Sequence, residues 1–490
     1  MSEGTNTSRW ALAIHRVTPT SAEVWVGTLF PSMAMPTKAR IRLTDAAGNV
    51  RTSPISSEQW QRPFTKLKQR FFVARRFDRL SPGSSYRVAF DRQVQGAGGV
   101  AWQELRTGSI ETLPERLPTE RQRPFCVAVG SCFYDHRDGG DAAEAYKLLF
   151  EQGDVSARPH IKFLTGDQVY LDIGFDSLSP VASELRERIA EDYARHWQGL
   201  GSMLCRGGTW LLPDDHEYWN DYPYFDSLIP TLLALKVPAI RNAWKQAATD
   251  GVKNVQRSGV VECFDIGGEL SFCVADLRSY RGVHRGEKVM MHPDAFPDLL
   301  RWARTLKSPG VLVVSQPLLV DKSGDRNLLS FPKQYGQLLE ALGHSGHDIV
   351  LLAGDVHYGR IGSCALGPKG GRLIEVVASP LSNLTLLNSI STSGPKLEPT
   401  RFPDASIQVP GWKQVDVSYD RAFSVPTVDG NVLSPYVRKR TKEHFMTLGF
   451  TRSADARVEL RVQSWLVRER QPGSNLPLKG FAEPFKAVLR

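Results

Sequence analysis

The sequence predicts an α/β protein with an N-terminal all-β domain of immunoglobulin or fibronectin III type. Two observations carry this. Up to about Pro114 the chain consists of short alternating segments, and from Phe125 onward apolar runs of four to six residues alternate with longer amphipathic stretches. A polar stretch, PERLPTERQRP, lies between the two patterns and reads as a linker, which divides the chain into a β-sandwich domain at 1–114, a linker at 115–124 and an α/β domain at 125–490.

In the first part SAEVWVGTLF, ARIRLTDAAGNV, RFFVARRF, SSYRVAFDRQ and AWQELRT are separated by turns rich in Pro, Gly and Asn, as in a sandwich. Leu80-Ser81-Pro82-Gly83 before Tyr86 has the form of a tyrosine corner, and Trp25 is the candidate core tryptophan.

In the second part the apolar runs are FCVAV (125–129), IKFL (161–164), TWLL (209–212), LSFCVA (270–275), VLVV (311–314) and IVLLA (349–353). Segments such as DAAEAYKLLFEQ, SELRERIAEDYARHW, AIRNAWKQAATD, PDLLRWARTL and QYGQLLEAL have helical periodicity. Each apolar run leads into polar residues: Gly130-Ser131-Cys132, Gly166-Asp167, Asp214-Asp215-His216, Asp276, Ser315-Gln316 and Gly354-Asp355-Val356-His357. Ligands of open α/β sheets sit outside the carboxyl ends of the strands, so these termini share one rim. A single Asp after a strand is ordinarily a cap or turn residue. Ligand-type residues after most of the core strands point instead to a metal site. The stretch from 377 to about 435, rich in Ser, Pro and Asn, reads as loops over that rim, and HFMTLGFTR with RVELRVQSWLVR reads as a hairpin completing a second sheet.

Composition narrows the functional classes. With 41% hydrophobic and 23% charged residues in 490, the chain can bury a sizeable core, and no run approaches the ~18 apolar residues that a membrane span needs. Lys and Arg (61) exceed Asp and Glu (52) by nine, which suits an anionic ligand but is too diffuse to require nucleic acid other than as a substrate. Six cysteines without a CxxC pair exclude a disulfide scaffold and read mostly as buried fillers. The N-terminus shows no export signal, so a cytoplasmic location is expected.

Cys132 as thiolate and His357 as neutral imidazole suit a transition metal, whereas Asp167, Asp215 and Asp355 suit hard cations or a bridging position. A phenolate at Tyr170 at neutral pH requires a strong Lewis acid, which favours trivalent iron over zinc or magnesium. Asp355 and His357, two apart at a strand end, can reach one pocket.

The segments GSC (130–132), GDQVYLD (166–172), PDDHEYWND (213–221), DLRSYR (276–281), SQP (315–317) and GDVHYGR (354–360) occur in this order. As an ordered set they resemble the PhoD-like phosphatases of the calcineurin-like metallophosphoesterase superfamily, over about residues 125–380 and with a matching β-domain before them. The resemblance implies a four-layer αββα core, an iron and calcium centre, and hydrolysis of phosphate esters by a metal-bound hydroxide. It implies that Asp167 bridges the metals, that Cys132, Tyr170 and His357 hold Fe(3+), and that Asp215 and Asp355 serve Ca(2+) or another divalent metal. His216 takes the place of the histidine that contacts the phosphate and protonates the leaving oxygen. Asp215 stands at the usual Asn position, and Cys132 replaces the Asp-x-His opening of most calcineurin-like enzymes.

Arg278 is expected to bind the substrate phosphate and Arg281 to be a surface charge, while Arg438-Lys439-Arg440 reads as a solvated face. The expected partner is a phosphate ester, whether a small molecule or a lipid or nucleotide ester. Two rivals remain. One is an inert binding or adhesion protein, which retention of six candidate ligands opposes. The other is a glycosidase using Asp214 and Asp215, whose adjacency poorly suits attack on opposite faces of a sugar.

Overall fold

Only part of the first hundred residues owes its alternation to burial on one side, as KARIRLT does. In the computed structural model, which describes residues 8–96, 99–173, 179–225, 230–320, 326–384, 401–403, 406–428 and 440–490, seven strands occupy this region. They are β1 (Ala11–Val17), β2 (Ser21–Thr28), β3 (Lys38–Thr44), β4 (Val50–Ser56), β5 (Phe71–Asp78), β6 (Ser85–Gly96) and β7 (Gly99–Glu111). They form a three-stranded sheet in the order β1-β2-β5 and a four-stranded sheet in the order β4-β3-β6-β7. Ala22, Val24 and Val26 of β2 share a buried cluster with Ala39, Ile41 and Leu43 of β3. Trp10 and Trp60 lie in that cluster, edge-on to Phe71 and Phe90.

Trp25 does not take the expected place. Alternation turns it to the opposite face, where it stacks on Phe72 at 5.5 Å and donates from Nε1 to the Asn254 carbonyl at 3.0 Å. The three-stranded sheet is therefore buried on both faces. Tyr86 does make the tyrosine-corner bond, its hydroxyl accepting from Ser81 N at 2.7 Å.

The later apolar runs lack alternation because they too are covered on both faces. β8 (Phe125–Gly130), β9 (Ile161–Thr165) and β10 (Gly208–Leu212) pair in parallel. The hairpin His444–Arg452 and Val458–Arg470 joins this same sheet, not a second one, by pairing antiparallel with β8, and Pro477–Lys479 and Phe485–Leu489 pair with Val458–Arg470 to bring it to seven strands. The second seven-stranded sheet begins with β11 (Val261–Ile266) and β12 (Leu270–Ala275). It continues through Gly310–Val313, Ile349–Ala353, Arg372–Ala378, Gly359–Ala365 and Ser418–Ser424.

Val127, Val129, Phe163 and Leu212 of the first sheet share one buried cluster with Phe272, Val311, Val350 and Leu352 of the second. On its other face the first sheet buries helices Asp141–Gln152, Ala182–Gly199 and Pro238–Asp250 through Tyr146, Trp197 and Trp244. The second buries helices Phe296–Arg304 and Pro332–Ser345 through Leu299, Leu338 and Leu342. The result is a mixed α/β fold in which two sheets present their strand ends side by side.

The segment read as a linker is fastened to both sheets. Leu117 is buried and donates from its backbone to Glu269 at 2.9 Å, Arg116 pairs with Glu269 at 3.1 Å, and Arg121 with Glu459 at 2.7 Å. No described helix is long and apolar enough to cross a membrane. Of the expected rim loops, 385–400, 404–405 and 429–439 lie outside the described residues, as do Arg438 and Lys439.

Candidate metal centre

Four of the expected ligands sit in the left-handed backbone region, which Asp enters more readily than most residues and Cys seldom does. Cys132 (φ 56°), Asp167 (φ 57°), Asp355 (φ 67°) and His357 (φ 51°) are all left-handed, each just past a strand end. Such strain clusters at functional sites, where the surrounding structure must hold it. The glycine before each Asp has a steric reason. A Cβ at Gly166 would lie 2.6 Å from Asp214 Cβ, and one at Gly354 would lie 2.2 Å from Ser131 Oγ. The loops leaving β8, β9, β10 and Ile349–Ala353 therefore pack backbone against backbone, and Cys132 N donates to Gly166 O at 3.0 Å.

This packing concentrates negative charge. Carboxylate oxygens of Asp167, Asp214, Asp215 and Asp355 lie within 4.8 Å of one another, and one oxygen each of Asp167 and Asp215 makes a similar triad with a ring nitrogen of His216. Two like charges ~4 Å apart repel by about 4 kcal/mol at an effective dielectric constant of ~20. The acidities record it. Burial, then Asp215, pushes Asp167 well above the carboxylate range, and burial with Asp214 and Asp215 raises Asp355 to about 8. Burial acts on Asp215 in the same direction, but His216 and Arg278 outweigh it and hold Asp215 low. Asp215 Oδ1 is buried without a hydrogen-bond partner among the described residues. A cation among these oxygens would relieve the repulsion and fill that vacant acceptor, so the donor set fits a metal.

Cys132 and Tyr170 share a small buried cluster with Tyr134, Ile173 and Leu384. Cys132 Sγ lies 3.4 Å from Asp167 Oδ2 and 3.4 Å from the Asp355 carbonyl, and Ser379 Oγ donates to it at 3.1 Å. Burial, Asp167 and Asp355 push the thiol far up, a trend that a bound cation reverses. Tyr170 lies over the His216 ring with centroids 4.3 Å apart. Burial and His216 lower His357 to about 4, so its imidazole is neutral, as a ligand must be. Cys132, Tyr170 and His357 thus border the acidic group without belonging to its two tight clusters.

His216 Nδ1 is 2.7 Å from Asp172 Oδ1, and Asp172 Oδ2 accepts from Asn220 N at 2.8 Å. The contact orients the ring and leaves Nε2 for a ligand. Burial opposes a charge on His216, yet Asp172, Asp215 and Asp167 outweigh it and hold its pKa well above 6.5.

Arg278 is 2% exposed and engaged with protein: Nε donates to Asp214 Oδ1 at 2.6 Å, Nη2 to Asp214 Oδ2 at 3.1 Å and Nη1 to Tyr222 O at 2.9 Å. Arg281 is not on the surface. It is buried, held where it donates to Gln316 Oε1 at 2.7 Å, while Gln316 Nε2 donates to Asp355 Oδ2 at 2.8 Å.

Within the segment PDDHEYWND, sequence reasoning gave Glu217 no role of its own. Fully buried, it accepts from the backbone of Asp167 (2.9 Å), Gln168 (2.6 Å), Val169 (3.3 Å) and Asp214 (2.8 Å) and from Gln256 Nε2 (3.0 Å). This carboxylate ties the left-handed turn at Asp167 to the loop carrying Asp215. The signal was its spacing three after Asp214, a cap pattern with a charge more than a cap needs.

No family model matches the chain, and no curated protein matches it. Among solved structures it is similar to PhoD, with a TM-score of 0.61 and 14% identity over 99% of this chain and 92% of that one. The fold is PhoD-like. A glycosyl hydrolase family 2 member from Bacteroides cellulosilyticus (TM-score 0.22, 9% identity, 70% of this chain and 37% of that one) has no comparable overlap. Nor does the sensor domain of the anti-sigma factor RsgI4 of Pseudobacteroides cellulosolvens (0.16, 14%, 22% and 76%). At 14% identity the PhoD likeness establishes the fold, and the acidic cluster lies at the strand ends of that fold.

Proposed function

We propose that the chain is a PhoD-like phosphatase of the calcineurin-like superfamily, a metal-dependent hydrolase of phosphate esters. The observation that carries this is the buried cluster of Asp167, Asp214, Asp215 and Asp355 at the strand ends of a PhoD-like fold. In this reading the facing sheets and outer helices are a four-layer αββα core over 125–490. The strands of 1–114 form an immunoglobulin or fibronectin III-like unit, and 115–124 joins the two.

Asp167 would be shared by the metals. Cys132, Tyr170 and His357 would complete a site for Fe(3+), whose Lewis acidity a thiolate and a phenolate both require, and Asp215 with Asp355 would form a harder site for Ca(2+). Bound there, the metals supply Lewis acidity for the phosphoryl oxygens and acidify water. The protein supplies the rest. His216 presents Nε2 to the phosphate and protonates the leaving oxygen, oriented by Asp172, whose carboxylate favours the protonated ring. Arg278 is assigned a positioning role through Asp214, which it takes up as a paired charge and so leaves Asp215 for the metal.

The test is to purify the full chain without chelator, determine its metals, and assay a panel of phosphomonoesters and diesters before and after chelation. Bound metal and hydrolysis that disappear together on chelation support the reading. A chain that binds metal yet hydrolyses none of the panel would favour the inert binding protein.

A further inference from the structure

Cys263 on β11 and Cys273 on β12 stand directly opposite each other across the antiparallel pair. The backbone fixes the kind of pair they make. One step past the ladder Asp276 N donates to Val260 O at 2.9 Å, so Val260 and Asp276 are a hydrogen-bonded pair. Hydrogen-bonded and non-hydrogen-bonded pairs alternate, and three steps inward Cys263 and Cys273 are therefore non-hydrogen-bonded. Cα atoms of such pairs lie ~4.5 Å apart, within the ~4.4–6.8 Å that a disulfide spans.

Directly opposed residues leave the same face of a sheet, here the face covered by helix Phe296–Arg304, where Cys273 packs with Leu299 and Ala303. The cover stops at β11, the edge strand. Cys273 is buried, whereas Cys263 is the exposed one of the six cysteines.

We propose that Cys263 and Cys273 form a reversible disulfide site, with Cys263 the entry thiol and Cys273 the resolving thiol toward a low-molecular-weight disulfide such as oxidised glutathione. A hydrogen bond from Cys273 holds Cys263 below its ordinary value, while burial and Cys263 push Cys273 well above it, which matches those roles. Cys263, having lost its proton, attacks one sulfur of oxidised glutathione and forms a mixed disulfide as one glutathione thiolate leaves. Cys273 loses its proton and attacks the Cys263 sulfur, and the second glutathione thiolate leaves as the protein disulfide closes. The two protons end on the two glutathiones. The protein is oxidised by two electrons and the glutathione disulfide is reduced by the same two.

The test uses the full chain incubated with oxidised glutathione, alkylated and mapped by mass spectrometry. Wild type should lose two of its six thiols and give one linked peptide pair, Cys263 to Cys273, reopened by dithiothreitol. Cys273→Ser should instead accumulate glutathione on Cys263, and Cys263→Ser should keep all its remaining thiols. A stable glutathione adduct on wild-type Cys263 with Cys273 still free to alkylate, or no loss of wild-type thiols, would overturn the proposal. Should Cys273→Ser fail to fold, the wild-type map decides alone.

Discussion

Loops from the first sheet and loops from the second meet at one rim but contribute differently. The first sheet brings Asp167, Asp215 and His216, whose ligand atoms cluster, and Cys132, whose Sγ lies 3.4 Å from Asp167 Oδ2. The second brings Asp355 and His357, and beside them a set of supports: Arg278 and Ser315 on Asp214, Gln316 on Asp355, and Arg281 on Gln316. The same residue type thus has different work in adjacent positions. Asp214 takes the hydrogen bonds of a buried arginine, whereas Asp215 Oδ1 next to it lies 4.0 Å from the same guanidinium without a hydrogen bond.

Five experiments test this contrast. The largest effect is expected at His216. His216→Ala should keep its metals and lose ~10²–10⁴ in rate, more for alkyl phosphates than for p-nitrophenyl esters, whose leaving group needs no proton. Its partner gives a pH signature: without the Asp172 carboxylate the imidazolium loses its proton at lower pH, so the alkaline limb of the pH–rate profile in Asp172→Asn should move down. Loss of metal from His216→Ala would make His216 a ligand instead.

Arg278 comes next. Arg278→Met leaves Asp214 buried and unpaired, which should cost about 3–5 kcal/mol in denaturant unfolding, and adding Asp214→Asn should recover part of it. Unchanged stability with a raised KM would return Arg278 to the substrate.

Glu217→Gln replaces one acceptor oxygen by a donor facing backbone N–H groups. It should weaken metal affinity by about 10–100-fold, measured by competition with a chromophoric chelator. Undiminished affinity would reduce Glu217 to a structural cap.

The smallest effect is expected at the junction. Trypsin should cut slowly at Arg116 and Arg121, because both side chains are paired and Leu117 is buried between them. Rapid cleavage there, releasing an intact β-unit, would mean that the two parts fold separately.

What the sequence revealed follows from what each residue answers to. The segment DAAEAYKLLFEQ became helix Asp141–Gln152 because its apolar spacing is a local property. The strand-end motifs were legible for the same reason, since a glycine and an acid after an apolar run describe a local turn. β1 escaped notice because ALAIHRV, buried on both faces, does not alternate, and β4 because Pro54 interrupts an exposed edge. Longer-range facts were invisible. The pairing of His444–Arg452 with β8 spans over three hundred residues, Trp25 faces away from its own sandwich, and the surface reading of Arg281 failed against a buried glutamine.

The central claim is that Asp167 joins two metals on which hydrolysis depends. It is tested most directly by determining metal per chain and phosphoester turnover, side by side, in wild type and Asp167→Asn. The account predicts that both fall together in the variant, with turnover reduced more than ~100-fold, beyond the loss expected for a residue that only supports a ligand. A variant with wild-type metal content and wild-type turnover would contradict it.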